Sequence, residues 1–217
     1  MTQQNSMADA PAQAPEAARP RKLDEVVVAT FLDLMRTRHP NSITFRDIAA
    51  AAGISHMAPY RHFKSKRDLL GRIADIGFGM LADAIEAATL RHPKAPRRQI
   101  LDACDCYHRF AVTHPGHAAV MFGANQDFRG DGAPLPALER TRAILLRIIH
   151  SCQLSGDLPP DLDEKKVLGL LWAQVHGFTL LSANRALTEK EVGAPEAFVA
   201  AGVEALLAGL AAARGPV

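Results

Sequence analysis

Two helix-opening signatures lie 21 residues apart, Thr44 with Asp47 and Ser65 with Asp68, and Gly53 falls between them. In each, the hydroxyl can accept from the backbone N–H three residues on, while the carboxylate reaches back toward the backbone ahead of the helix. A helix is therefore predicted to start at each point, and Gly53 supplies the turn because it adopts positive φ without strain. The first of these helices runs through Ala52. A short one follows, capped by Ser55 and ending near Arg61. The long one then carries Leu69, Ile73, Ile76 and Met80 on one side. Pro59 falls within the first turn of the short helix, where a missing N–H costs least. Upstream, Val27, Phe31, Leu34 and Met35 share a face of another helix, which stops at His39-Pro40. Three short helices and a long one, with a tight glycine turn between the second and third, have the layout of a helix-turn-helix.

Helical periodicity continues downstream. Pro96 suits a first helical position, and Ile100, Cys104, His108 and Ala111 then share a face. Pro115 opens a short element through Phe122. Leu138, Leu145, Ile149 and Cys152 line a further helix closed by Ser-Gly-Asp at 155–157, and two more are predicted at 162–185 and 195–213. No segment alternates convincingly enough for a strand, so the expected fold is all-α. Residues 1–20 are rich in Ala, Pro and Gln and are expected to be a disordered tail. The organisation predicted is that tail, a helix-turn-helix unit over 21–67 and a larger helical domain over 68–217. The glycine- and proline-rich stretch 123–136 is expected to be the most mobile part of the body. No uncharged apolar run of membrane-spanning length is found, and three cysteines suggest no disulfide framework, so a cytoplasmic protein without a membrane span is expected.

The net charge of +2 conceals an asymmetry. Residues 19–72 carry 11 Lys and Arg against 5 Asp and Glu, whereas residues 73–217 carry 14 against 16. Basic charge concentrated in the helix-turn-helix segment suits an element that meets a polyanion. A recognition helix lies in the major groove with its first turns near base edges and its flanks on phosphates. His56, Met57 and Ala58 occupy those first turns. Tyr60 and His62 can donate to phosphate, and Lys66 adds a charge beside the N-terminal end of the long helix. Phe63 is assigned to the core.

The segment TFRDIAAAAGISHMAPYRHFKSKRDLL resembles the DNA-binding domain of the tetracycline-repressor family of bacterial transcription regulators. The resemblance rests on Ile48-Ala49, Gly53, Tyr60-x-His62-Phe63, and Lys66 followed by Asp68-Leu69-Leu70. Further on, Trp172-x-x-x-His176-Gly177 is similar to an element of one subgroup. The family resemblance implies a homodimer that binds double-stranded operator DNA and is released by a small-molecule inducer held in the C-terminal domain. It also implies contacts to DNA from Arg46, His56, Met57, Ala58, Tyr60, His62 and Lys66. Pro59 departs from the leucine found in many members and puts the length of the recognition helix in question.

A pocket of the family type would lie between the helices at 68–90, 96–113, 115–122 and 138–153. Tyr107, Phe110, Met121, Phe122, Trp172 and His176 are the candidates to line it, with His176 equally able to serve as a structural hydrogen-bonding group. The last two helices each carry more apolar surface than one core contact needs. Leu171, Val175, Phe178, Val203, Leu206 and Leu210 are the expected dimer contacts of a four-helix bundle between two copies. Cys104 with His108, and His114 with His117, have spacings that metal ligands use, but no carboxylate follows in register. No phosphate loop, nucleophile elbow or paired carboxylates stand out, so neither an enzyme nor a metal or other cofactor is expected. The competing reading is a helical interaction module whose basic N-terminal face binds an acidic protein.

Overall fold

The computed structural model describes residues 22–123 and 135–212. The expected tail at 1–20 and nearly all of the stretch at 123–136 lie outside these residues. Every regular element among the described residues is helical, as the periodicity predicts: α1 (Leu23–Leu34), α2 (Phe45–Ala52), α3 (Ala58–His62), α4 (Lys66–Thr89), α5 (Pro96–Thr113), α6 (Pro115–Phe122), α7 (Pro136–Ser155), α8 (Glu164–Ala183), α9 (Glu189–Val192) and α10 (Pro195–Ala212).

The capping signals act as the spacing predicts. Thr44 Oγ1 accepts from Asp47 N–H, and Asp47 Oδ2 accepts from Thr44 N–H at 2.7 Å, a closed reciprocal cap on α2. These bonds to Thr44 hold the Asp47 carboxyl far below the ordinary carboxylate range. Gly53 ends α2 at φ +65°. Ser65 caps α4 by accepting from Asp68 N–H, but Asp68 reaches one residue further back, to Lys64 N–H at 3.1 Å.

Ser55 is a correction. It does not cap α3; its carbonyl accepts from Ala58 N–H at 2.9 Å in a turn, and α3 starts only at Ala58. A helix capped at Ser55 would place Pro59 where the backbone must donate back to the Ser55 carbonyl, and proline has no N–H. Starting at Ala58 puts Pro59 among the positions whose N–H has no helical partner anyway. Two short elements also escaped the periodicity: a 3₁₀ turn at Pro40–Ser42 and α9, which carries its own Thr188–Glu191 capping box.

Phe31, Ile43, Ile48, Phe63 and Leu69 close a small core beneath α1, α2 and α3. Arg38 braces its edge, donating to Ser42 O and Asp47 Oδ2. α4 leaves this unit and forms the inner wall of the second half, packing on α5, α6 and α7. Gly77 allows α6 to come close, since a Cβ there would run into Met121 Sδ. α7 is pinned to α4 by the Ala137 N–H donating to Asp75 Oδ1 and by Arg140 pairing with Asp83 and Glu86. α10 is tied to α5 through Arg97 and Glu204. By length and composition α10 is apolar enough to cross a membrane, although no such span is predicted from the uninterrupted runs; Glu196 and Glu204 interrupt it.

Candidate DNA-binding surface and ligand cavity

The turn between α2 and α3 presents His56 and Met57 to solvent, Met57 at 64% exposure. The α3 helix carries Tyr60 and His62, and both are exposed. The Tyr60 ring stands edge-on to Phe45 with centroids 4.9 Å apart, so its position is set by the core while the residue as a whole stays 55% exposed. Arg46 is exposed on α2, and Lys66 is half-buried at the start of α4. Burial, with Arg38 nearby, lowers the Lys66 pKa. Ala58 is corrected: its methyl is 6% exposed and packs inward, so it has no surface to offer a base. Arg61 and Lys64, which the sequence reading does not single out, are also exposed, next in sequence to Tyr60, His62 and Phe63. The local charge count contained both.

A cavity of about 310 Å³ lies in the second half. Phe78, Leu81 and Ile85 of α4 and Ile100, Ala103 and Tyr107 of α5 form its inner walls. The α7 stripe Leu138, Thr141, Leu145 and Ile148 faces α8 across it. The expected site lay between α4, α5, α6 and α7. Here α8 supplies a full wall through Leu168, Leu171 and Val175, while α6 contributes Phe122.

Of the six expected lining residues, Tyr107, Phe122 and Trp172 reach the cavity and Phe110, Met121 and His176 do not. Phe110 packs against the His114 ring, and fully buried Met121 fills the α4–α6 contact. His176 stands behind Tyr107, whose hydroxyl is hydrogen-bonded to His176 Nδ1 at 2.5 Å. Burial lowers the His176 pKa and raises that of Tyr107 to about 12, so the neutral pair is favoured. Phe122, Tyr107, Trp172 and His176 form a connected ring cluster, with Phe122 5.2 Å from Tyr107 and 6.0 Å from Trp172 between centroids.

Four expected dimer contacts are corrected as well. Leu171, Val175, Phe178 and Val203 are buried within the single chain, and the first two line the cavity. Neither expected stripe of α8 is simply outward: Val167, Leu171, Val175 and Phe178 are buried, and Leu168 and Trp172 of the adjacent stripe line the cavity. Leu170 and Leu181, outside both, are each 45% exposed. Leu206 and Leu210 sit half-buried at the edge of α10. The spacing showed an excess of apolar surface on α8 but not which residues would be left facing outward.

Cys104 and His108 do not converge on an ion site. Cys104 lines the cavity and burial pushes its thiol up to about 12, while His108 Nδ1 bonds Thr179 Oγ1 at 3.1 Å. Among the described residues no three His, Cys, Asp or Glu side chains are grouped to hold a metal.

Comparison with known proteins agrees with this architecture. Residues 32–73 match the bacterial regulatory proteins of the tetR family, and residues 100–206 match the tetracyclin repressor-like C-terminal domain. An HTH-type transcriptional repressor of Mycobacterium tuberculosis is 35% identical over 91 residues, which cover 36% of this chain and 48% of that one. The chain thus spans about half the length of the curated relatives it matches. A protein of unknown function from Rhodococcus superposes with a TM-score of 0.76 at 26% identity, covering 92% of this chain and all of that one. The regulator PfmR of Thermus thermophilus aligns with a TM-score of 0.65 at 18% identity over 85% of this chain and 98% of its own. The regulator FadR of Bacillus subtilis, solved with stearoyl-CoA, has a TM-score of 0.66 at 16% identity over the same shares. The two matched regions together take in well over half of the sequence, one on each side of the junction formed by α4, and the chain belongs to the tetracycline-repressor family of bacterial transcriptional regulators.

Proposed function

We propose that this protein is a homodimeric repressor that binds a palindromic operator through the α2–α3 unit and leaves it when a small organic ligand enters the α4–α5–α7–α8 cavity. The observation that carries the reading is that one rigid helix serves both sites. α4 begins at Lys66 beside the recognition surface, and its Phe78, Leu81 and Ile85 line the cavity. On this reading residues 21–67 are the DNA-binding unit, residues 68–217 the ligand and dimer unit, and Arg46, His56, Met57, Tyr60, His62 and Lys66 meet DNA. That FadR was solved with stearoyl-CoA supports a cavity of this fold accepting an organic effector.

A dimer is supported by the surface α8 and α10 leave uncovered. Leu170, Leu180 and Leu181 are exposed on α8, and Ala201, Ala205, Ala208 and Gly209 are exposed on α10. A Cβ added at Gly177 or Gly209 meets nothing within 4 Å in this chain. Small residues beside exposed leucines suit close packing of the same two helices from a second copy.

The experiment is a salt-resolved anisotropy titration against the DNA upstream of the protein's own gene. A repressor binds one palindrome in preference to scrambled duplex, and its affinity falls linearly in log salt. Equal binding to both duplexes overturns the reading.

A further inference from the structure

We infer that the cavity takes an organic anion, a carboxylate on an apolar body, with the head held at the α7–α8 slot by Arg142 and Lys165; the inference rests on the cavity being the effector site. The walls are almost wholly apolar, so most of any occupant must be hydrocarbon or aromatic. Among the described residues the charged side chains that line it are Arg142 of α7 and Lys165 of α8, and no carboxylate does. A cationic ligand would meet two positive groups and no lining carboxylate, whereas an anion finds both positive groups on facing helices.

The nearby acids compensate these groups only in part. Glu139 pairs with Arg142 at 3.8 Å, too long for a good hydrogen bond and with both side chains more than half exposed, so a ligand carboxylate can displace it. The Asp163 carboxylate is occupied by the backbone N–H groups of Lys165 and Lys166, and Glu164 pairs with His150 at 2.8 Å. Arg142 and Lys165 are both exposed, so their heads can remain hydrated at the slot while the ligand body enters the cavity. Gly169 also lines the cavity, one turn from Lys165, and the position where its Cβ would stand is open space, which leaves that side of the slot clear.

Trp172, the chain's single tryptophan, lines the cavity and makes its fluorescence a direct readout. The full chain is titrated with two matched sets, octanoate, octanol and octylamine, and 4-phenylbutyrate, 4-phenylbutanol and 4-phenylbutylamine. Within at least one set the carboxylate is expected to bind roughly 5- to 10-fold more tightly than the alcohol, since both cations are solvent-screened, and the amine most weakly. The double variant Arg142→Gln, Lys165→Gln should lose that preference while keeping alcohol affinity and melting temperature. Arg142→Glu, Lys165→Glu should shift it toward the amine. Equal affinity of acid and alcohol, or a preference that survives both double variants, overturns the anion assignment. Carboxylate-selective binding that leaves operator affinity unchanged upholds the ligand class and removes the effector role. No response from any of the six probes overturns both.

Discussion

Tyr60 illustrates how one side chain divides between fold and function. Its ring is held by Phe45 while more than half of the residue is exposed. Tyr60→Phe keeps the ring contact and removes only the hydroxyl, so the melting temperature should hold while operator affinity falls about fivefold, the equivalent of ~1 kcal/mol. A titration at fixed salt with unchanged affinity would remove Tyr60 from the contact surface. The histidines behave differently. Burial lowers the pKa of His108, His117 and His176, so on acidification the unfolded chain takes up protons before the folded one does. Stability from these groups is therefore complete above the ordinary histidine range and drains away as the pH falls below it. Thermal melts from pH 7 to 5 should show a declining midpoint, and His176→Gln should make the decline shallower. A midpoint independent of pH over that range would mean these side chains are solvated in the folded state.

At the level of elements, what was legible depended on whether the signal was local. Thr44–Asp47, Gly53, Pro96, Pro115 and Gly156 mark helix ends by chemistry within a few residues, and the helices begin or end beside them. The α3 boundary moved because Pro59's missing N–H outweighed the cap available from Ser55. Facing was not local. Leu171 and Leu170 are neighbours in sequence with similar side chains, and only the tertiary packing of α5 and α10 determines that Leu171 is buried and Leu170 is not. The cavity had the same difficulty: Tyr107 and Phe122 stood out as aromatics, but Arg142 and Lys165 belong to helices whose rotation the pattern left open. This difference yields a paired prediction. Leu171→Glu buries an unpartnered carboxylate beside the cavity and should unfold the chain, at a cost of a few kcal/mol. Leu181→Glu changes only an exposed residue, so it should preserve the circular dichroism spectrum and the melting transition of the protomer while sedimentation shifts from dimer to monomer. Wild-type sedimentation as a monomer at micromolar concentration would instead leave the exposed α8 face without its proposed partner.

The whole molecule is organised around α4. Its 24 residues make a rod ~36 Å long at 1.5 Å per residue. One end carries Lys66 beside the recognition unit, and its middle forms cavity wall. A second connection runs through α6. Gly116 packs against Leu32 of α1, while Phe122 at the other end of α6 reaches the cavity. An occupant that displaces Phe78 or Phe122 thus acts on two elements that support the DNA-binding unit. In a dimer the two recognition helices must lie about 34–36 Å apart to enter successive major grooves, so a small rotation of each rod changes affinity. A ligand that favours the other spacing weakens DNA binding by its differential affinity, and DNA weakens the ligand by the same factor. Ala103 is the place to test this, being buried at 4% exposure in the cavity wall, whereas Ala111 is only half-buried and lines no part of it. Ala103→Phe should fill the cavity and abolish the Trp172 response to the carboxylate probes. It should also either hold the protein on the operator irrespective of probe or release it without one, according to which spacing the added ring favours. The measurement is probe affinity with and without saturating operator for the wild type, then operator affinity of the variant. If the wild-type probe affinity is equal in both conditions, the two sites are not coupled through these helices.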